Sequence, residues 1–214
     1  MPLSTYTELQ SSVRRSIKRA DLDTSIDDWI AMFEKDMNIL LHRREMSVRA
    51  TTATVAGTQN YALPTDFGDA ISLNLNTTPK KELVPSDWVR ISTVYAEQGQ
   101  PEEWAITSNE IVLGPIPDAV YTMELYYYRT IPSLLSTSTN WLLGAYPRLY
   151  LFGTLVQSVG VIDDPQQHAW ALAYQDALGN LKRDQIRERG FGGGPILRVE
   201  TPFGLPYANI LTDE

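Results

Sequence analysis

Cysteine is absent from the 214 residues, which excludes disulfides, thiolate catalysis and cysteine-bound zinc. Histidine is nearly absent too, with His42 and His168 far apart in helical segments and no serine or carboxylate motif around either. They read as ordinary surface or core residues. Long apolar runs are missing: the longest, Leu149 to Val156, is far too short to span a bilayer. The opening MPLSTYTELQ lacks the basic and apolar regions of a signal peptide, so the expectation is a soluble chain made inside the cell, with no membrane partner. Excess positive charge is lacking as well. The net charge is −8, and residues 50–136 carry four basic against ten acidic side chains, a net of −6. Such a surface repels a phosphate backbone, so a nucleic-acid-binding module is not expected, although DNA could pass without sticking.

What is present falls into two periodicities. Thr5 and Glu8 form a capping-box pattern, and Tyr6, Leu9, Val13 and Ile17 follow at helical spacing. A second helix is expected from Thr24 or Ser25 to about His42–Arg44, with Trp29, Ile30, Phe33, Met37, Leu40 and Leu41 on its apolar face. From Met46 to Arg129 the signals become short and strand-like. Val48 to Val55 is rich in β-branched residues, and Ile71, Leu73 and Leu75 alternate with polar neighbours. Asp87 can start a short helix from Trp88 to Val94. Trp104–Thr107 and Glu110–Leu113 flank the turn Ser108-Asn109, and Tyr121, Met123, Leu125 and Tyr127 share a strand face. Helix returns at Pro147, a residue suited to a first turn, and the following segment is apolar on nearly all sides. Gly153 within it would let a neighbour approach closely. A last helix, capped by Asp163 or Asp164 with Pro165 at its first position, is expected to run to Arg189. Its inner face is Trp170, Tyr174, Ala177 and Leu181, and Gly190 is its stop.

The fold class expected is therefore α+β. A four-helix bundle, two helices from residues 1–45 and two from 137–189, carries a β-rich insertion at 46–136. Residues 190–214 form an extended carboxy-terminal arm. Eight of those 25 positions are glycine or proline, which excludes a regular element through the whole arm. Yet Phe191, Ile196, Leu197, Val199, Phe203, Leu205, Tyr207, Ile210 and Leu211 are bulky and apolar, unlike a disordered tail. At roughly 1–2 kcal/mol per backbone, ordering the arm costs more than burying those side chains returns. It needs main-chain pairing or a partner surface as well, and reads as a docking arm hinged at Gly190, Gly192, Gly193 and Gly194; the competing readings are an arm that wraps back over its own domain and a disordered tail.

Signs of chemistry are few. Asp27-Asp28, Glu102-Glu103 and Asp163-Asp164 are adjacent acids that point in different directions, and capping accounts for two of the pairs. Asp21 to Ser25 begins like a calcium loop but has Ile26 where glycine is needed and Met32 where glutamate should close it. Gly192-Gly193-Gly194 is not followed by the Lys-Ser or Lys-Thr of a phosphate loop. No cofactor, metal or catalytic site is expected. The basic cluster Arg14, Arg15, Lys18 and Arg19 has three readings: a solvated face, an inter-subunit face for an acidic neighbour, or a DNA contact.

One series of segments points further. Asn109 to Asp118 (NEIVLGPIPD) leads into Tyr121 and Leu125-Tyr126-Tyr127-Tyr128, then Ile131-Pro132-Ser133-Leu134, Asn140-Trp141-Leu142-Leu143 and Pro147 to Leu151. Earlier stand Arg44-Glu45-Met46 and Leu63-Pro64-Thr65-Asp66-Phe67. In order and spacing this series resembles the head-to-tail adaptor proteins of short-tailed bacteriophages, the group related to tail tubular protein A. The resemblance spans roughly residues 3–189. It implies a structural virion protein, not an enzyme, assembled as a twelve-fold homo-oligomeric ring at the head–tail interface. Such a ring sits beneath the portal protein, extends the DNA channel without binding DNA specifically, and offers a platform to the tail nozzle protein and, in some relatives, to tail fibres. The competing reading is a tail-fibre attachment or receptor-binding module, in which Trp88, Trp104 and Tyr126 to Tyr128 stack on sugars.

Overall fold

The computed structural model describes residues 3–19, 21–159 and 165–191. The chain is mixed α+β, with seven α-helices and three sheets among the described residues.

Helix α1 (Tyr6–Ile17) starts at the expected capping box. The Thr5 side chain accepts from the Glu8 amide, and the Glu8 carboxylate accepts from the Thr5 amide. Its spacing buries Leu9, Val13 and Ile17. Helix α2 (Asp23–Leu40) begins slightly before Thr24 and Ser25, with no side-chain cap, and stops short of His42. Leu40, expected on the inner face, is exposed. The chain turns extended at Leu41, and that side chain fills the core position instead. Helices α6 (Pro147–Gln157) and α7 (Gln167–Phe191) complete the long helices. Pro147 stands in the first turn of α6, as its missing amide hydrogen favours. Val159, beyond the end of α6, is exposed.

Asp163 and Asp164 lie outside the described residues. Pro165 precedes α7 by a turn, not at its first position, and α7 continues through Gly190 to Phe191, past the expected stop. Glycine inside a helix costs only about 1 kcal/mol, too little to end it alone.

Helix α6 is the hub, packing on α1, α2 and α7. One apolar cluster unites Leu9, Ile30, Phe33, Met37, Tyr150, Leu155, Trp170 and Leu181. Gly153 permits a close approach in it: a Cβ there would lie 2.2 Å from Phe33 Cε2 and 2.3 Å from Cδ2. The expected close neighbour is therefore Phe33. Two short helices that the periodicity did not reveal, α4 (Leu134–Thr137) and α5 (Trp141–Ala145), fold onto this cluster through Leu134, Leu142 and Leu143.

Residues 47–129 form two facing four-stranded sheets. The first has β1 (Ser47–Ala53), β10 (Thr122–Arg129), β3 (Phe67–Leu75) and β4 (Lys81–Glu82), in that spatial order and all antiparallel. The second has β2 (Asn60–Ala62), β8 (Glu110–Gly114), β7 (Glu103–Thr107) and β5 (Val84–Pro85), the last pair parallel. A small parallel pair joins β6 (Gln98–Gly99) to β9 (Ile116–Pro117). The β7–β8 hairpin turns at Ser108-Asn109 as expected, with Ser108 at φ +53°.

Alternate residues of both sheets, Leu73, Leu75, Met123, Leu125 and Tyr127 against Trp104, Ile111 and Leu113, fill the space between them. Ile71 breaks the expected alternation. Tyr126 pairs with Ser72 and Tyr127 with Ala70, so Ile71 is the extra residue of a β-bulge and is exposed. Helix α3 (Trp88–Val94), capped by Asp87, covers the outer face of the second sheet with Ile91 against Ala105 and Val112.

Candidate docking surfaces

The four basic residues singled out from the sequence lie at the end of α1, and their charges are partly spent within the chain. Arg19 grips Asp21 with two parallel hydrogen bonds, Nε to Oδ1 at 3.0 Å and Nη2 to Oδ2 at 2.6 Å, which hold the Asp21 carboxyl below its usual range. Arg15 donates to Ser12 Oγ at 2.9 Å, and Arg14 is half-buried and engaged. Lys18 is exposed at the left-handed C-cap, its amide donating to the Arg14 carbonyl. Arg14 and Arg15 flank a shallow cleft of about 350 Å³ with Leu3, Thr7 and Ser11. On the opposite side of α1, Tyr6 donates to Asp27, and burial together with that carboxylate pushes the Tyr6 phenol up to about 12. Asp27 therefore ties α1 to α2 instead of capping.

A second surface is the junction of helices and sheets, built from one polar stripe of α2. Glu34 is buried, and its Oε1 accepts from the Leu134 amide at 2.9 Å and from the Tyr150 hydroxyl at 3.0 Å. Asn38, one turn on, accepts from the Ile131 amide at 2.7 Å. His42, in the extended chain just past the end of α2, sits 3.3 Å from Asp69 and edge-on to Tyr128 at 5.0 Å. Glu34 and Asn38, at i and i+4, thus fasten residues 131 and 134 to α2, and His42 meets Tyr128 beyond the helix end. Burial of Tyr150, together with the Glu34 carboxylate beside it, drives that phenol far above its ordinary range, so it stays a donor.

Arg43 lies at the same junction. Its guanidinium stands over the rings of Trp141 (5.8 Å) and Tyr146 (5.2 Å), donates to Tyr146 Oη at 2.8 Å and pairs with Glu45 at 3.2 Å. Tyr146 in turn donates to Asp184 at 3.0 Å, and Gln185 donates to the His42 carbonyl at 3.0 Å. These bonds moor the last turns of α7 beside residues 42–46, where β1 begins. Sequence reading missed both Glu34 and Arg43. Both stand beside other charged residues, Lys35 and Asp36 in one case and Arg44 and Glu45 in the other, so nothing local marks them as buried.

The acids that could have suggested hydrolysis are held apart. Glu102 pairs with Lys81 at 3.0 Å, while Arg90 grips Glu103 through two hydrogen bonds of 3.0 and 3.1 Å. That fork lowers Glu103 to about 2. Because the folded value lies below the unfolded one near 4.5, the stabilisation is present above that value and is lost as pH falls through about 2. The α3–β7 clasp should open in that window. Protection factors of the amides of residues 88–94, measured between pH 5 and 2, should fall more in the wild type than in Glu103→Gln, which lacks the titration. An equal fall in both would refute the clasp. Among the described residues, no group of three or more His, Asp or Glu could hold a metal ion, and no helix is long and apolar enough to cross a membrane. His168 is exposed.

The aromatics of the sugar-stacking reading divide. Trp104 is interior, its Nε1 donating to the Leu83 carbonyl at 3.1 Å, and Tyr127 is buried; only Trp88 is about half exposed. The arm's Gly192, Gly193, Gly194, Ile196, Leu197, Val199, Phe203, Leu205, Tyr207, Ile210 and Leu211 lie outside the described residues, as does the Phe191 side chain.

The family model described as SU10 adaptor protein matches residues 4–198. That span takes in the helices, both sheets and the beginning of the arm. No curated protein matches the chain.

Proposed function

The chain belongs to the SU10 adaptor protein family, and from that premise we propose that it is the virion's head-to-tail adaptor, a ring of twelve copies set between portal and tail nozzle. The family match supports a bacteriophage structural role, in agreement with the resemblance found in the sequence; kinship with tail tubular protein A is no part of that match. The observation that carries the finer reading is the mooring of α7 beside the helix–sheet junction, which launches an apolar arm from a fixed point. The helical part, acting as a four-helix bundle domain, packs against its neighbours in the ring, with Arg15, Lys18 and Arg19 facing the acidic β part of the next copy. Phe203 to Leu211 engage the portal. The acidic β part faces the tail, and DNA passes without specific binding. Tail fibres attach, where present, to the same platform.

Mass photometry of the chain mixed with its cognate portal ring tests this. A discrete ring-sized gain with the full chain, abolished when the chain ends at Pro202, is the expected result. A gain that survives truncation would move the anchor to the helical body. No gain with either chain would defeat the adaptor reading and favour a fibre-attachment or receptor-binding module.

A further inference from the structure

The arm contains a run able to form a strand close to its start. Ile196-Leu197-Arg198-Val199-Glu200-Thr201 is free of glycine and bracketed by Pro195 and Pro202. Proline has no amide hydrogen to give a ladder, so pairing is confined between the two. Strand alternation would set Leu197 and Val199 on one side, Arg198 and Glu200 on the other.

The structure offers a matching edge. β1 is bordered by β10 on one side only. The Thr54 amide donates to the Tyr121 carbonyl at 2.8 Å, and the register runs unbroken from there to Ser47. Antiparallel alternation then turns the main-chain groups of Val48, Ala50 and Thr52 toward β10. Those of Arg49 and Thr51 turn to the free edge, where no described strand lies. Beside that edge, between β1 and β2, opens a cleft of about 210 Å³ floored by Leu63, Leu73, Ile111, Met123 and Leu125. The cleft leads onto the shared core of the two sheets, whose floor residues are themselves buried. Main-chain partners next to an apolar floor are the two things this arm requires to become ordered.

Reach selects the occupant. Gln185 is bonded to His42, five residues before β1 starts. The remaining six residues of α7 advance about 9 Å, and residues 192–195 can add up to about 14 Å. A tether this short gives an effective concentration in the millimolar range, well above any second copy in dilute solution. We propose that residues 196–201 add to the free edge of β1 in their own chain, with Leu197 and Val199 entering the cleft. The first sheet then gains a fifth strand, and Phe203 to Leu211 start from a base fixed on the β part. This pairing concerns the chain alone and stands or falls apart from the portal reading.

Hydrogen exchange of residues 47–53 at two protein concentrations tests it on four chains: full length, ending at Pro202, ending at Phe191, and full-length Val199→Pro. The first two should exchange at least tenfold more slowly than the last two, at either concentration. Equal exchange in all four would overturn the proposal. So would protection that grows with concentration, which would assign the strand to a second copy. Because the chain has no cysteine, Ala50→Cys combined in turn with Leu197→Cys or Val199→Cys gives a clean cross-link, expected within monomers; dimers alone would refute it. A chain ending at Pro202 that keeps β1 protected but fails on the portal separates this proposal from the functional one.

Discussion

Arg43→Ala should destabilise the chain by about 3 kcal/mol, read as a fall in the urea unfolding midpoint at constant slope. Arg43 is buried, and its cation is held by the two ring faces, the Tyr146 hydroxyl and Glu45. Removal leaves Glu45 without its partner and two rings lining a void. Glu45 keeps some contact with solvent, so the loss belongs at the lower end of what breaking a buried pair costs. Arg43→Lys retains the charge but loses the planar fork, and should give up about half as much. The effect should also be directional: exchange of the α7 turn around Asp184 and Gln185 should quicken, while residues 103–114 stay as they were. A uniform change, or none, would mean that Arg43 does not moor α7.

Gly153→Ala is the second large effect, and two opposing terms decide its sign. Alanine in a helix interior gains up to about 1 kcal/mol over glycine. The new Cβ, however, falls 2.2 Å from the edge of the Phe33 ring, itself buried and set edge-on to Tyr150 at 4.8 Å. Overpacking of that kind costs about 3 kcal/mol, leaving a net loss of about 2 kcal/mol. Gly179 in α7 is the control. Nothing lies within 4 Å of its Cβ position, so Gly179→Ala should stabilise by about 0.5–1 kcal/mol. Phe33→Leu should soften the Gly153→Ala penalty in a double-mutant cycle. If the two alanine variants shift stability in the same direction, the α2–α6 contact is not as close as the structure has it.

Much of the local structure was legible in the residues. The Thr5–Glu8 box, Asp87 before α3, Pro147 opening α6 and the Ser108-Asn109 turn are each decided within four or five positions, because capping and turn chemistry act over that range. The inner faces of α1 and α7 followed from period alone. That the arm needs main-chain pairing or a partner surface is an expectation from composition, which sets both its apolar content and its ordering cost.

Tertiary structure decided the rest. β1 lies against β10, some 70 residues later in the chain, and β10 against β3, and no local pattern encodes which strands meet. The bulge that expels Ile71 arises from matching β3 to β10 beyond Tyr126, so alternation within β3 could not reveal it. The burial of Glu34 and Arg43 likewise depends on the segments around 131–134 and 141–146 supplying amide, hydroxyl and ring partners from far along the chain. Sequence by itself determined the starts of α1, α3 and α6, the Ser108-Asn109 turn and most of the apolar helix faces. Only the packed chain determined which polar groups could be buried and which strand edge stayed open, because both are settled by contacts between segments that share no local code.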